Sequence, residues 1–191
     1  MRICIYAGSS VGAREDYRQA AQDLGTAMAQ AGIGLVYGGG NIGLMGVVAD
    51  AALAGGGEVI GVITTQLDGH GLSHRGLTEL KIVPSMHDRK AMMAALSDAF
   101  IALPGGIGTM EELFEAWTWA QLGVHTKHVA LLNAGGFYDK LVAFLDHVVE
   151  ERFMKPIHRD VLVVESDPRL LLERLRGTPA AYVPKWLDKV V

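Results

Sequence analysis

Residues 99–112 read Ala99-Phe100-Ile101-Ala102-Leu103-Pro104-Gly105-Gly106-Ile107-Gly108-Thr109-Met110-Glu111-Glu112. The apolar run 99–103 has strand length, and Leu113, Phe114 and Trp117 recur after it at helical spacing, so the stretch reads as strand, glycine turn, helix. Gly105, Gly106 and Gly108 lack the Cβ that holds a backbone away from a ligand. The helix that follows offers unpaired N–H groups and the positive end of its dipole. The natural ligand of such a turn is a phosphate. The same residues also fit a capping box, in which Thr109 and Glu112 satisfy each other's backbone donors and no chemistry is needed. Taken alone, this stretch leaves both readings open.

Outward from it, strand-length and helix-length segments alternate. Upstream, 2–7 (RICIYA) reads as a first strand, 8–12 as a turn of small donors, and 15–31 as a helix with Tyr17, Ala21, Leu24, Met28 and Ala31 on one face. A second strand at 34–37 runs into the glycine-rich stretch 38–46, a third lies at 59–63, and a polar loop at 64–76 precedes a fourth at 80–83. Ser85, with Asp88 three later, opens a helix whose apolar face is Met92, Met93 and Leu96. Downstream, Met110, Leu113, Phe114 and Trp117 form a core stripe, 129–133 is a strand, and 138–151 is a helix with Leu141, Val142, Leu145 and Val148 inward. Pro156 breaks the chain, 161–164 is a last strand, and Pro168 starts a short helix carrying Leu170, Leu171, Leu172 and Leu175. Near-continuous apolar strands in this alternation predict an α/β fold, an open, mostly parallel sheet with helices on both faces. One domain spans 1–176, followed by a C-terminal tail at 177–191 that is draped or loose. The glycine loops fall at the carboxyl ends of strands, the edge where such sheets bind ligands.

Composition narrows the partner. A net charge of −4 without a dense Lys/Arg run argues against nucleic acid and against an anionic membrane surface, and leaves a small molecule. The single Cys4 lies in an apolar run and reads as a buried core residue in a reducing compartment. The start of the chain has neither the apolar run nor the cleavage site of a signal peptide, so a cytoplasmic protein is expected.

Several chemistries are missing. Gly38, Gly40 and Gly43 match G-x-G-x-x-G, but the loop follows the second strand, and Glu58 begins the next apolar run instead of ending it, so a dinucleotide is disfavoured and a mononucleotide is not. Neither a P-loop nor a G-x-S-x-G elbow is present. His70 with His74, and His125 with His128, do not complete a metal set, so neither a metal nor a cofactor is expected.

What the chain does carry is charge in unusual places. Arg89 and Lys90 fall in the first turn of their helix, where the dipole disfavours cations. They either extend into water or await an anion: Arg89 as a planar fork toward phosphate oxygens or a leaving base, Lys90 as a point charge. On the helix after the glycine turn, Glu112, Glu115 and Trp119 share a face, a pocket wall or, for Trp119, a subunit contact. A carboxylate beside a bound sugar phosphate suits glycosidic cleavage, because it stabilises an oxocarbenium-like transition state and can activate water.

The stretch 104–112 has the form PGGxGTxxE. With Ser85-Met86-His87-Asp88-Arg89-Lys90 before it and Trp119-Ala120-Gln121-Leu122-Gly123 after it, the sequence resembles the Lonely Guy family of cytokinin riboside 5′-monophosphate phosphoribohydrolases over roughly residues 2–176. The resemblance implies a Rossmann-like homodimer without cofactor that hydrolyses the N-glycosidic bond of an N6-modified adenosine monophosphate, or of AMP, to free base and ribose 5-phosphate. It implies Arg89 and Glu112 as the catalytic pair. It also implies substrate binding by Ser9, Ser10, Gly39, Gly40, Met86 and Lys90, with Gly105, Gly106, Ile107, Gly108 and Thr109 at the phosphate. Similar sequences have been described as lysine decarboxylases, but no lysine here sits in a context like a cofactor Schiff base. The competing reading is a Rossmann-type nucleotide-binding or carrier protein in which Glu112 only caps its helix.

Overall fold

Seven segments form strands, most of them apolar runs: β1 (Arg2–Tyr6), β2 (Gly34–Tyr37), β3 (Val59–Thr64), β4 (Glu79–Val83), β5 (Ala99–Ala102), β6 (His128–Leu132) and β7 (Leu162–Glu165). The structure, a computed structural model, describes residues 1–177. All the strands pair in parallel in one sheet of order β4-β3-β2-β1-β5-β6-β7. The chain winds outward from β1 to β4, then returns to β5 on the other side of β1. Cys4 faces Val36 across one border of β1 and Phe100 across the other. The direction of winding therefore reverses between β1 and β5, and the crevice outside their carboxyl ends is the place where such a sheet takes a ligand.

Side chains alternate across β1 and divide the core in two. Ile3 and Ile5 pack with Leu35 and Tyr37 under α1 (Glu15–Gln30), α2 (Gly43–Ala54) and α8 (Pro168–Gly177). Cys4 and Tyr6 pack with Val36 and Phe100 under α4 (Met86–Ala95), α5 (Ile107–Gln121) and α6 (Asp139–Glu150). Each fully buried side chain of this size, Ile5 or Phe100 for example, contributes about 2 kcal/mol of transfer free energy. The expected open sheet with helices on both faces is the observed architecture. No helix among the described residues is long and apolar enough to cross a membrane.

Several local expectations are corrected. The loop read over the glycine-rich stretch does not extend to residue 46, because α2 begins at Gly43, capped by the carbonyl of Gly8, which accepts from Leu44 N–H (2.9 Å). A short helix, α3 (Thr65–Gly69), interrupts the loop 64–76, with Thr64 Oγ1 accepting from Leu67 N–H. Pro156 opens α7 (Pro156–Arg159) where a simple break was expected. Phe114 and Leu170 are exposed, so the inner stripe of α5 is Thr109, Leu113, Ala116, Trp117 and Ala120. Trp119 is half-buried against the α4–α5–α6 core. The tail expected at 177–191 lies outside the described residues, apart from Gly177 at the end of α8.

Candidate active site

Two turns meet at the switch point. Gly8 N–H donates to Pro104 O (3.1 Å), which seats the turn after β1 against the turn after β5. Ser9, Ser10, Pro104, Gly105 and Gly106 line a cleft of about 240 Å³ between them, with Tyr17 and Phe137 as its aromatic wall.

Helix α5 opens into this cleft. Its N-cap is Gly106, and no side chain caps it, so the N–H groups of Ile107, Gly108 and Thr109 have no partner within the helix. A Cβ built on Gly106 or Gly108 would meet nothing within 4 Å; both residues face open space. Gly105 is glycine for a different reason, since a Cβ there would lie 2.1 Å from Thr109 Oγ1. Thr109 is buried behind the turn as the third residue of the helix. The capping-box reading is thereby overturned: the helix starts two residues before Thr109, and Glu112 is engaged elsewhere. The Ile107 side chain is almost fully exposed.

Glu112 meets Arg89. The guanidinium of Arg89 donates from Nη1 to Glu112 Oε1 (2.9 Å) and to the Met86 thioether (3.4 Å), from Nε to Val62 O (3.0 Å), and from Nη2 to Gly38 O (3.3 Å). Three strong acceptors fix its plane. Gly38 must be glycine for this, because a Cβ there would fall 1.8 Å from Nη2. Both charged side chains are nearly buried, 9% and 13% exposed. Burial pushes the Glu112 carboxyl above the usual carboxylate range, and the adjacent Arg89 offsets that push only in part.

Lys90 turns the other way. Its ammonium donates to Glu111 and to Glu115 (3.1 Å), one turn apart on α5. Burial works against the charged amine, but these two carboxylates outweigh it and hold its pKa raised. The cations at the start of α4 are thus compensated by three carboxylates of α5, where the sequence left water or a ligand anion as the alternatives. Of the residues singled out, Ser9, Ser10, Gly105 and Gly106 line the cleft, with Gly108 and Thr109 in the helix turn beside it. Arg89, Glu112 and Met86 come together at the ends of β2 and β3. Gly39 and Gly40 are buried in the loop between the two groups. Lys90 does not line the cleft.

Sequence reasoning missed Glu111 as a partner of Lys90, although the Glu111 and Glu115 spacing is that of neighbours on one helix face. It also missed the carbonyls of Gly38 and Val62, for which no sequence signal exists. Glu58, the residue at dinucleotide spacing, pairs with Arg2 (2.8 Å) at the opposite edge of the sheet and cannot reach a ribose here. His74 pairs with Asp50 (2.9 Å), and His125 Nε2 bonds Ala116 O (3.0 Å).

Residues 45–175 match the family described as "Possible lysine decarboxylase". A rice protein (Oryza sativa subsp. japonica) named "Probable cytokinin riboside 5′-monophosphate phosphoribohydrolase" is 50% identical over 190 residues, covering 100% of this chain and 74% of its own length. An Arabidopsis thaliana protein named cytokinin riboside 5′-monophosphate phosphoribohydrolase is 48% identical over 184 residues, covering 96% of this chain and 84% of its own. Among solved structures, a molybdenum cofactor binding protein from Rippkaea orientalis superposes with a TM-score of 0.70 at 22% identity, covering 92% of this chain and 95% of that one. That last likeness is one of fold.

Proposed function

We propose that this chain, which belongs to the Lonely Guy family of cytokinin riboside 5′-monophosphate phosphoribohydrolases, hydrolyses the N-glycosidic bond of N6-modified adenosine 5′-monophosphates, and of AMP. The products are the free base and ribose 5-phosphate. The observation that carries the reading is the pairing of a buried, hydrogen-bonded Arg89–Glu112 couple with an uncapped helix N-terminus at the same sheet edge.

The 5′-phosphate binds at the start of α5, where the N–H groups of Ile107, Gly108 and Thr109 and the helix dipole hold an anion, with Ser9 and Ser10 closing the other side. The crevice has no unpaired buried cation among its described residues, so backbone donors carry this task. The ribose then extends toward Glu112. As the C1′–N bond breaks, positive charge develops on the sugar, and the Glu112 carboxylate stabilises it and takes the proton of the attacking water. A guanidinium has five N–H donors. Val62, Gly38 and Glu112 occupy three of those of Arg89 and the weak Met86 acceptor a fourth, which leaves one Nη2 N–H for the departing base.

Lysine decarboxylation finds no support in the same site: Lys90 is committed to two carboxylates. A cytoplasmic homodimer completes the proposal. Cys4 is a buried free thiol, which suits a reducing compartment. Exposed Phe114 and Phe153 line an open groove beside Trp117 that a second copy would cover.

Incubation with AMP and with N6-isopentenyladenosine 5′-monophosphate, each beside its dephosphorylated nucleoside, tests the reading by chromatography of free base. Base released from the nucleotides alone is the expected result. Bound nucleotide without release of base would refute it in favour of a carrier.

A further inference from the structure

The loop between the cleft and Arg89 is held by a segment that no sequence pattern marks. Residues 72–74 run antiparallel to residues 39–41: Asn41 N–H donates to Leu72 O (3.0 Å), His74 N–H donates to Gly39 O (2.9 Å), and Gly40 bridges Ser73. From inside, Tyr37 Oη donates to Gly40 O (3.1 Å). The carbonyls of Gly38, Gly39 and Gly40 are therefore each occupied, the first by Arg89 itself. The clip has its own fastening. Ser73 is buried, and its hydroxyl donates to the carboxylate of Asp68 at the end of α3, which also accepts from Arg75 Nη2 (2.6 Å).

We propose that residues 72–74, fastened by Asp68 through the Ser73 hydroxyl, form a clip that fixes the 38–40 loop and so sets the position of Arg89 against Glu112. Asp68 and Ser73 are then positioning residues, not catalytic ones. The physical basis is the set of three strong acceptors around the guanidinium. Val62 O belongs to a sheet strand and Glu112 to a helix, whereas Gly38 O sits in a loop that has no secondary structure of its own and depends on the clip for its place. A guanidinium held within a few tenths of an ångström by its second layer is what a preorganised site requires. Losing the Gly38 acceptor frees Arg89 to swing from Glu112.

The test has a readout independent of any reaction. Glu112 is faced by Arg89 and Lys90, by Glu111 on its own helix, and by Tyr6 and Cys4 from β1, and of these Arg89 most opposes its raised pKa. In the ligand-free protein, Asp68→Ala is expected to speed hydrogen exchange at the Asn41 amide by about tenfold or more. It is also expected to move the Glu112 carboxyl titration, followed by NMR, upward by about half a pH unit. Asp68→Asn, which keeps an acceptor for Ser73, restores most of both. If Asp68→Ala does not fold, Ser73→Ala removes the same contact and must give the same two changes.

Faster exchange with an unmoved Glu112 titration overturns the proposal, as does no change in either. The activity arm rests on the proposed hydrolysis. There, Asp68→Ala lowers kcat while KM stays within about twofold, because the phosphate site on α5 is untouched. A protein with no hydrolytic activity would sink the proposed function while leaving the titration result to judge the clip.

Discussion

Replacing Glu112 by Gln separates the charge of this side chain from its shape. Gln keeps an oxygen to accept from Arg89 Nη1 at the observed 2.9 Å, so the guanidinium retains its third strong acceptor. What goes is a negative charge that is only 13% exposed. At about 4 Å and an effective dielectric constant of about 20, a full pair of unit charges is worth about 4 kcal/mol. The sugar carries only part of a charge in the transition state and Arg89 takes part of the carboxylate's, so about 2–3 kcal/mol is expected, about 30- to 150-fold in kcat. Loss of water activation adds about another tenfold or more. Nucleotide affinity depends on the α5 N–H groups and changes by less than about threefold. Single-turnover release of base, measured with calorimetric binding on the same preparation, gives both numbers. A Glu112→Gln protein that turns over within about threefold of the parent would refute the role assigned to this carboxylate.

Other consequences are tested as readily. Burial raises the Glu112 carboxyl above the ordinary 4.5, and in the proposed mechanism the ionised form is the working one. Activity is therefore fully present above the raised pKa and is lost as pH falls through it, with a midpoint above 4.5 in kcat/KM against pH, which reports the free enzyme; a midpoint at or below that value would contradict the assignment. Arg89→Met removes the group that offsets this burial, so the Glu112 titration followed by NMR moves further up. Gly106→Asp supplies α5 with the side-chain cap it lacks, in a position where a Cβ meets nothing. It should hold or slightly raise the melting temperature while abolishing nucleotide binding through charge repulsion at the phosphate site. Phe114→Glu, on the exposed side of α5, should lower the mass seen by light scattering from that of two chains to that of one.

The sheet was legible because its five inner strands are buried on both sides. Runs such as 99–103 and 34–37 are apolar throughout, which fits a parallel sheet covered twice over, and the glycines at 38–40 and 105–108 mark their carboxyl ends, whereas those at 55–57 stand before β3 at the opposite edge. Helix α2 was hidden by the same chemistry that places it. It is apolar nearly all round, its first turn holds two glycines, and its cap is the carbonyl of Gly8, far away in sequence. Thr109 misled for a local reason: T-x-x-E is a capping pattern only if the Thr stands outside the helix, and here the bare Gly106 takes that place.

Arg89 was legible as a broken rule, a cation at the wrong end of a helix, and the family resemblance paired it with Glu112, but charge spacing along the chain did not. The α4–α5 contact that brings three carboxylates to Arg89 and Lys90 is tertiary, and i, i+4 arithmetic on one helix says nothing about the next. Lys90 fared worst for that reason. Expected in substrate binding as a point charge, it joins α4 to α5 through Glu111 and Glu115, and in the proposed site backbone N–H groups take the anion.

The central claim is that water attacks the sugar carbon and leaves the phosphate ester untouched. Turnover of N6-isopentenyladenosine 5′-monophosphate in ¹⁸O-labelled water, with mass spectrometry of the products, reads this directly. The products should be free base and ribose 5-phosphate whose phosphate oxygens carry no label; the C1 oxygen is not counted, because it exchanges with water through the open-chain aldehyde. Label in inorganic phosphate, with the riboside left intact, would contradict it.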